Sequence, residues 1–154
     1  MYIDSHAHIS SFYYDDIEEV VKRAKEKKVL KIVNCGTGFN DFDEIIDLSS
    51  SHGFYYVLGI HPENINKLPV DYMKKFEKYI KENLSNPKFI GLGEIGLDYY
   101  HDKDNIEKQK TAKHIIDTHI VFSGLHTDDT NQRHSYNRRK PGTSARSHPH
   151  TRKR

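Results

Sequence analysis

Met1-Tyr2-Ile3-Asp4-Ser5-His6-Ala7-His8-Ile9 is a short apolar start that runs directly into two histidines one residue apart. In an extended segment, side chains at i and i+2 point the same way. His6 and His8 therefore project to one side at the end of a first strand. Two neutral imidazoles brought together like this can share one divalent metal. A His-x-His pair is also a common surface coincidence, so the rest of the chain has to decide between the two readings.

From Ser10 onward the chain alternates regularly. A polar, aromatic loop, Ser10 to Tyr14, leads to Asp15-Asp16, two acids well placed for the N-terminal dipole of a helix. Ile17, Val20, Val21, Ala24 and Val29 keep a helical apolar spacing, with Lys22 to Lys28 on the wet face. Val29 to Asn34 reads as a second strand, closed by the turn Cys35-Gly36-Thr37-Gly38. Helical spacing returns from Phe39 to Ser51 and stops at Gly53. Phe54 to Ile60 is a third strand, ending in His61-Pro62-Glu63, and Val70 to Asn83 is a third helix. Lys88 to Gly93 is a fourth strand that delivers Glu94, and another helix begins near Asp104. Strands alternating with helices imply parallel βα units, and near-continuous apolar strands fit a parallel sheet covered by helices. The predicted fold class is α/β.

Chemistry-bearing residues fall after strands one, three and four. In parallel α/β folds that end of the sheet holds the active site. Glu94 should sit at the rim of a buried sheet, where a carboxylate needs a partner. A metal held by His6 and His8 would be one, and a rim lysine would be another. Two histidines and a carboxylate leave positions open for water or substrate. His61 either shapes the turn before Pro62 or contacts substrate or phosphate. Asp98 either orients a ligand from behind or caps the residues after it. Cys35 reads as a core residue at a strand end rather than a nucleophile.

The totals bound the partners. The 154 residues are about one domain's worth. Residues 1–110 carry 15 Lys+Arg against 19 Asp+Glu, a net −4, and residues 111–154 carry 9 against 3, a net +6. The overall charge of +2 describes neither part, so it does not by itself argue for nucleic-acid binding. One cysteine excludes an internal disulfide and fits a reduced cytoplasmic setting. No apolar run reaches the roughly 18 residues of a membrane helix, and the opening lacks a signal-peptide pattern. No obligate protein partner is evident.

The opening Ile3-Asp4-Ser5-His6-Ala7-His8, the strand end Leu58-Gly59-Ile60-His61-Pro62 and the run Ile90-Gly91-Leu92-Gly93-Glu94-Ile95-Gly96-Leu97-Asp98-Tyr99 together resemble the TatD family of metal-dependent deoxyribonucleases. Glu107-Lys108-Gln109 is similar to the start of that family's next helix. The resemblance covers about residues 1–110. It implies the N-terminal half of a TIM-type (β/α)8 barrel and two divalent cations (Mg, Mn or Zn). It also implies hydrolysis of DNA phosphodiesters by metal-activated water. His6 and His8 would bind one metal, and Glu94 would bridge both and serve catalysis. His61 and Asp98, on the reading of the residues above, remain the candidate substrate contacts. Related barrels with the same His-x-His start act on small amides or esters, which is the alternative substrate class.

After Lys110 the sequence changes character. Ile120-Val121-Phe122 suggests a strand with no room for a helix before it, and His126-Thr127 is faintly similar to a histidine-bearing strand end of the family. Tyr136 is the only large apolar residue after Asp128. Residues 111–154 are therefore expected to form a disordered basic tail, since they cannot offset the entropy of ordering. The abrupt loss of periodicity points to a shifted reading frame. Only one of the two cations would then find its ligands. Such a tail could bind nucleic acid non-specifically through phosphate charge, and six of the eleven histidines lie in this part of the chain.

Overall fold

The computed structural model describes residues 1–100 and 104–125, with side chains as far as Asp117. The elements run β1 (Tyr2–Ala7), α1 (Ile17–Glu26), β2 (Val29–Cys35), α2 (Phe42–His52), β3 (Tyr55–Leu58), a 3₁₀ turn (Pro62–Lys67), α3 (Tyr72–Asn83), β4 (Phe89–Leu92) and α4 (Ile106–Leu125). The four strands form one sheet in the order β1-β2-β3-β4, and every pair is parallel. Spatial order follows chain order, as expected for successive βα units. Each connection places a helix over the strands it joins, which is why the strands read as nearly continuous apolar runs.

Local chemistry sets the element ends. Asp16 caps α1, its side chain accepting the Glu19 N–H at 2.9 Å. Gly53 ends α2 with φ +74°, a left-handed conformation that costs a side-chain-bearing residue energy. The second helix starts at Phe42 rather than Phe39. The cause is Asp41, whose carboxylate accepts the backbone N–H groups of Thr37 and Gly38 and holds the preceding residues in a turn. His61-Pro62 does more than turn the chain: it starts a 3₁₀ segment with Pro at the first position.

The main core lies between the sheet and α2, α3 and α4. Phe42, Tyr56, Leu58, Phe76, Ile80 and Ile115 are among its members, each 2 % exposed or less. A smaller cluster, Ile9, Val21, Ile32, Leu48 and Phe54, fills the space around α1 and β2. The buried Tyr56 hydroxyl donates to Asn83 Oδ1, so a core tyrosine leaves no polar atom stranded.

The last described helix corrects the sequence reading. α4 runs unbroken through Lys110, and Ile120-Val121-Phe122 lies inside it rather than in a strand. Ala112 and Ile115 belong to the main core, at 3 % and 2 % exposed. The stripe Lys108, Ala112, Ile115 has helical spacing, but its first member is a lysine that is only 8 % exposed. A lysine stem covers apolar surface as an aliphatic residue would, and counting it as polar hides the stripe. Of the tail expected over residues 111–154, residues 111–125 lie in α4, and the remainder, with His126, lies outside the described residues.

Among the described residues, neither β1 nor β4 has a strand on its outer side. Tyr2, Ile3 and Ile90 are correspondingly 66 %, 60 % and 51 % exposed. No helix among the described residues is long and apolar enough to cross a membrane.

Candidate metal centre

The C-terminal ends of the strands are tied to one another before any ligand is considered. The Gly36 N–H donates to the Val57 carbonyl, the Gly93 N–H to the Leu58 carbonyl, and the Glu94 N–H to the Gly36 carbonyl, at 2.9, 3.0 and 3.1 Å. Glu94 is thereby fixed against the end of β2, two strands away from its own. Glycine makes the approach possible. A Cβ on Gly59 would lie 2.2 Å from the Gly93 carbonyl carbon and 2.5 Å from the Glu94 nitrogen.

His6 and His8 leave β1 on the same side, as their spacing requires. Their Nε2 atoms are 3.1 Å apart, and each lies 3.3 Å from Glu94 Oε2. Four strands at about 4.8 Å spacing would hold β1 and β4 about 14 Å apart if the sheet were flat. The contact therefore requires both side chains to reach across a concave face.

His8 is oriented from behind. Its Nδ1 lies 3.0 Å from the Cys35 carbonyl. A carbonyl only accepts, so Nδ1 carries the proton and Nε2 keeps its lone pair turned to the cluster. Asn34, completely buried, holds the next residue. It accepts the Ile9 N–H at 2.7 Å and donates to the Ile9 carbonyl at 2.8 Å.

His61 meets the cluster from the other carboxylate oxygen. Its Nε2 is 3.6 Å from Glu94 Oε1, and its Nδ1 accepts the Glu63 N–H at 3.2 Å. A backbone N–H only donates, so a neutral His61 carries its proton on Nε2, facing Glu94. His61 shapes the turn before Pro62, as one sequence reading expected, by capping the 3₁₀ turn, and its ring also faces the cluster. Asp98 is not among the converging donors. Its carboxylate accepts the Tyr100 N–H at 3.0 Å, and its carbonyl accepts Gln109 Nε2 at 2.6 Å. Cys35 is 4 % exposed, and burial pushes its thiol up, with the Glu94 and Asp4 charges adding to the effect. A thiol held protonated is a poor nucleophile.

The donor set fits a divalent cation. His6, His8 and Glu94 each offer one atom, all within 4.8 Å of one another, the one such cluster among the described residues. Bonds of about 2.0–2.2 Å from a metal to N and O donors put neighbouring donors about 3.0–3.5 Å apart. The triangle of 3.1, 3.3 and 3.3 Å falls in that range. A cleft of about 530 Å³ shares His8 and His61 with the cluster and is also lined by Tyr13, Asn40, Asn64 and Lys67.

Sequence reasoning missed Asn34 and the two carbonyls of Cys35 and Gly36. A lone Asn closing an apolar strand was the available signal for the first, and backbone acceptors have none. Asn34→Ala strands two buried backbone groups of Ile9. It is expected to destabilise the fold by about 2 kcal/mol or more. It should also weaken cation binding about tenfold by loosening the His8 strand end. Urea unfolding and cation titration check the two parts separately.

Comparison with known proteins places this geometry. A family model described as TatD related DNase matches residues 3–128. The chain is 35 % identical over 112 residues to an uncharacterized metal-dependent hydrolase, YabD, of Bacillus subtilis, covering 71 % of this chain and 42 % of that protein. It is 28 % identical over 92 residues to the deoxyribonuclease Tat-D of Schizosaccharomyces pombe, covering 55 % and 30 %. Among solved structures, the TatD homologue YjjV of Escherichia coli superposes with a TM-score of 0.67 at 23 % identity, covering 81 % of this chain and 47 % of that one. The chain thus spans about two fifths of the length of the curated relatives it matches, and its sheet is the four-strand N-terminal part of a barrel.

Proposed function

Because this chain belongs to the TatD related DNase family, we propose that it is part of a divalent-cation-dependent hydrolase that cleaves DNA phosphodiester bonds with activated water. The observation that carries this reading is the convergence of His6, His8 and Glu94 on one point at the strand ends. The relatives named as deoxyribonucleases favour a phosphodiester over the amide and ester substrates of similar barrels.

His6 Nε2, His8 Nε2 and Glu94 Oε2 would hold the cation. A divalent cation bound there polarises a phosphoryl oxygen and acidifies water. The Cys35 carbonyl keeps the His8 lone pair aimed inward. Glu94 Oε1, turned toward His61, would not be needed for that cation. His61 presents an Nε2 proton that can be donated to an anionic substrate oxygen in the cleft. On this reading the described residues would hold one cation, and a second would need ligands outside them. Asp98 caps its own turn and supports the Gln109 contact. The barrel part runs through α4, with the basic stretch after it as a separate segment, and a cytoplasmic setting suits the single buried cysteine.

The test is release of nucleotides from DNA by the full chain with Mn²⁺ or Mg²⁺. Release is expected with cation, should stop in EDTA, and should not extend to small amides. Amide turnover without DNA cleavage would overturn the substrate. DNA binding that survives EDTA, falls steeply with salt and comes without cleavage would instead mark a non-specific basic segment.

A further inference from the structure

The loop after β1 is built in two contrasting parts. Its base is fixed. Ile9 and Ser10 are buried, Asn34 holds both backbone groups of Ile9, and Glu44 accepts the Ser11 N–H at 2.6 Å. The Ser10 carbonyl accepts the N–H groups of both Tyr13 and Tyr14 at 3.1 Å, closing a tight turn. Its tip is the reverse: Phe12 is 85 % exposed and Tyr13 57 %. Their rings pack edge to face, 4.9 Å between centroids at 89°. The Tyr13 ring is 6.3 Å from the His8 ring, and both aromatic residues line the cleft that His8 and His61 share.

An anchored turn that presents a bare phenylalanine beside a reactive cluster adds nothing to the core. What it offers is the open face of one aromatic ring, braced by the edge of the other, at a set distance from the cluster. The charges around the cleft limit what can lie on that face. Asp41 and Glu44 line it as carboxylates held by backbone N–H groups, and Lys67 is the one lysine or arginine in the lining. A run of phosphates is disfavoured there, whereas a neutral ring is not. The cleft volume also lies within the range of small-ligand sites, about 300–1,000 Å³.

We propose that Phe12 and Tyr13 form a stacking platform for the nucleobase carried next to the scissile phosphate, and so favour nucleic acid over simple phosphodiesters. The inference rests on the phosphodiester reading above, but its test can be separated from it. Fluorescence anisotropy with a short labelled single-stranded DNA in EDTA reads binding without turnover. The full chain should bind a base-bearing strand about tenfold or more tighter than an abasic strand of equal length, as expected for stacked bases. Charge contributions are the same for both strands and cancel. The F12A/Y13A double variant should bind both strands at the abasic strand's affinity, with far-ultraviolet circular dichroism matching wild type to report that it is folded. The chain has no tryptophan, so Phe12→Trp provides a single reporter whose emission the base-bearing strand alone should quench.

Equal wild-type affinity for the two strands overturns the platform, as does a preference that survives the double variant. Tryptophan emission already shifted to the blue before DNA is added also overturns it, because another segment or a second copy then covers the face. Base preference without metal-dependent cleavage would leave the platform and remove the hydrolase. Cleavage without base preference would do the opposite.

Discussion

Glu94→Gln is expected to abolish metal-dependent DNA cleavage and to weaken divalent-cation binding by at least about 100-fold. Losing a residue that only orients a ligand costs about 10- to 100-fold in metal affinity, and Glu94 supplies the one charged donor of the triangle. The amide keeps the size of the side chain and one oxygen but removes the negative charge facing His6 and His8. The fold should survive. The Glu94 side chain is about a third exposed, and its backbone bond to the Gly36 carbonyl is untouched. Titration with Co²⁺, followed by its visible absorption, reads affinity directly, and far-ultraviolet circular dichroism checks the fold. Wild-type cation affinity in this variant would refute the site.

Gly59→Ala should reach the same site from a distance. The new methyl group would meet the backbone of Gly93 and Glu94 at 2.2–2.5 Å, and no side-chain rotation relieves a clash with backbone. The end of β4 must move, and Glu94 with it. Overpacking of this kind costs about 1–3 kcal/mol. Cation affinity should fall at least about tenfold, because donor separations set to a few tenths of an ångström are lost. Gly91→Ala is the control. Its Cβ would meet Val57 at an ordinary 3.9 Å, so urea midpoint and cation affinity should both stay near wild type. Equal behaviour of the two alanine variants would show that the close approach does not hold Glu94 in place.

These residues differ in how visible they were in the sequence. The i, i+2 spacing of His6 and His8 in a strand fixes their common direction. The apolar run before Glu94 fixes its place at a strand end. Both follow from backbone periodicity, which is local. That His6 and Glu94 come within 3.3 Å follows from the bend of a whole sheet, which no local pattern carries. The Cys35 carbonyl that orients His8 is invisible for a simpler reason: every residue has one. Asp98 shows the converse, since a carboxylate in a strong motif is used to cap its own turn. The extent of α4 was lost because the buried stripe begins at a lysine, Lys108, which reads as polar.

Strand order along the sheet matches order along the chain, so each βα unit can dock on the one made before it without waiting for a distant partner. The proposed cation ligands do not follow this nearest-neighbour rule: His6 and His8 come from the first strand made, and Glu94 follows the last. A bound ion would clasp the two ends of the series. It could assemble only after the fourth unit had joined, and it would then resist the fraying of either outer strand. In the four-strand sheet of the described residues, the reactive centre would also be the fastening.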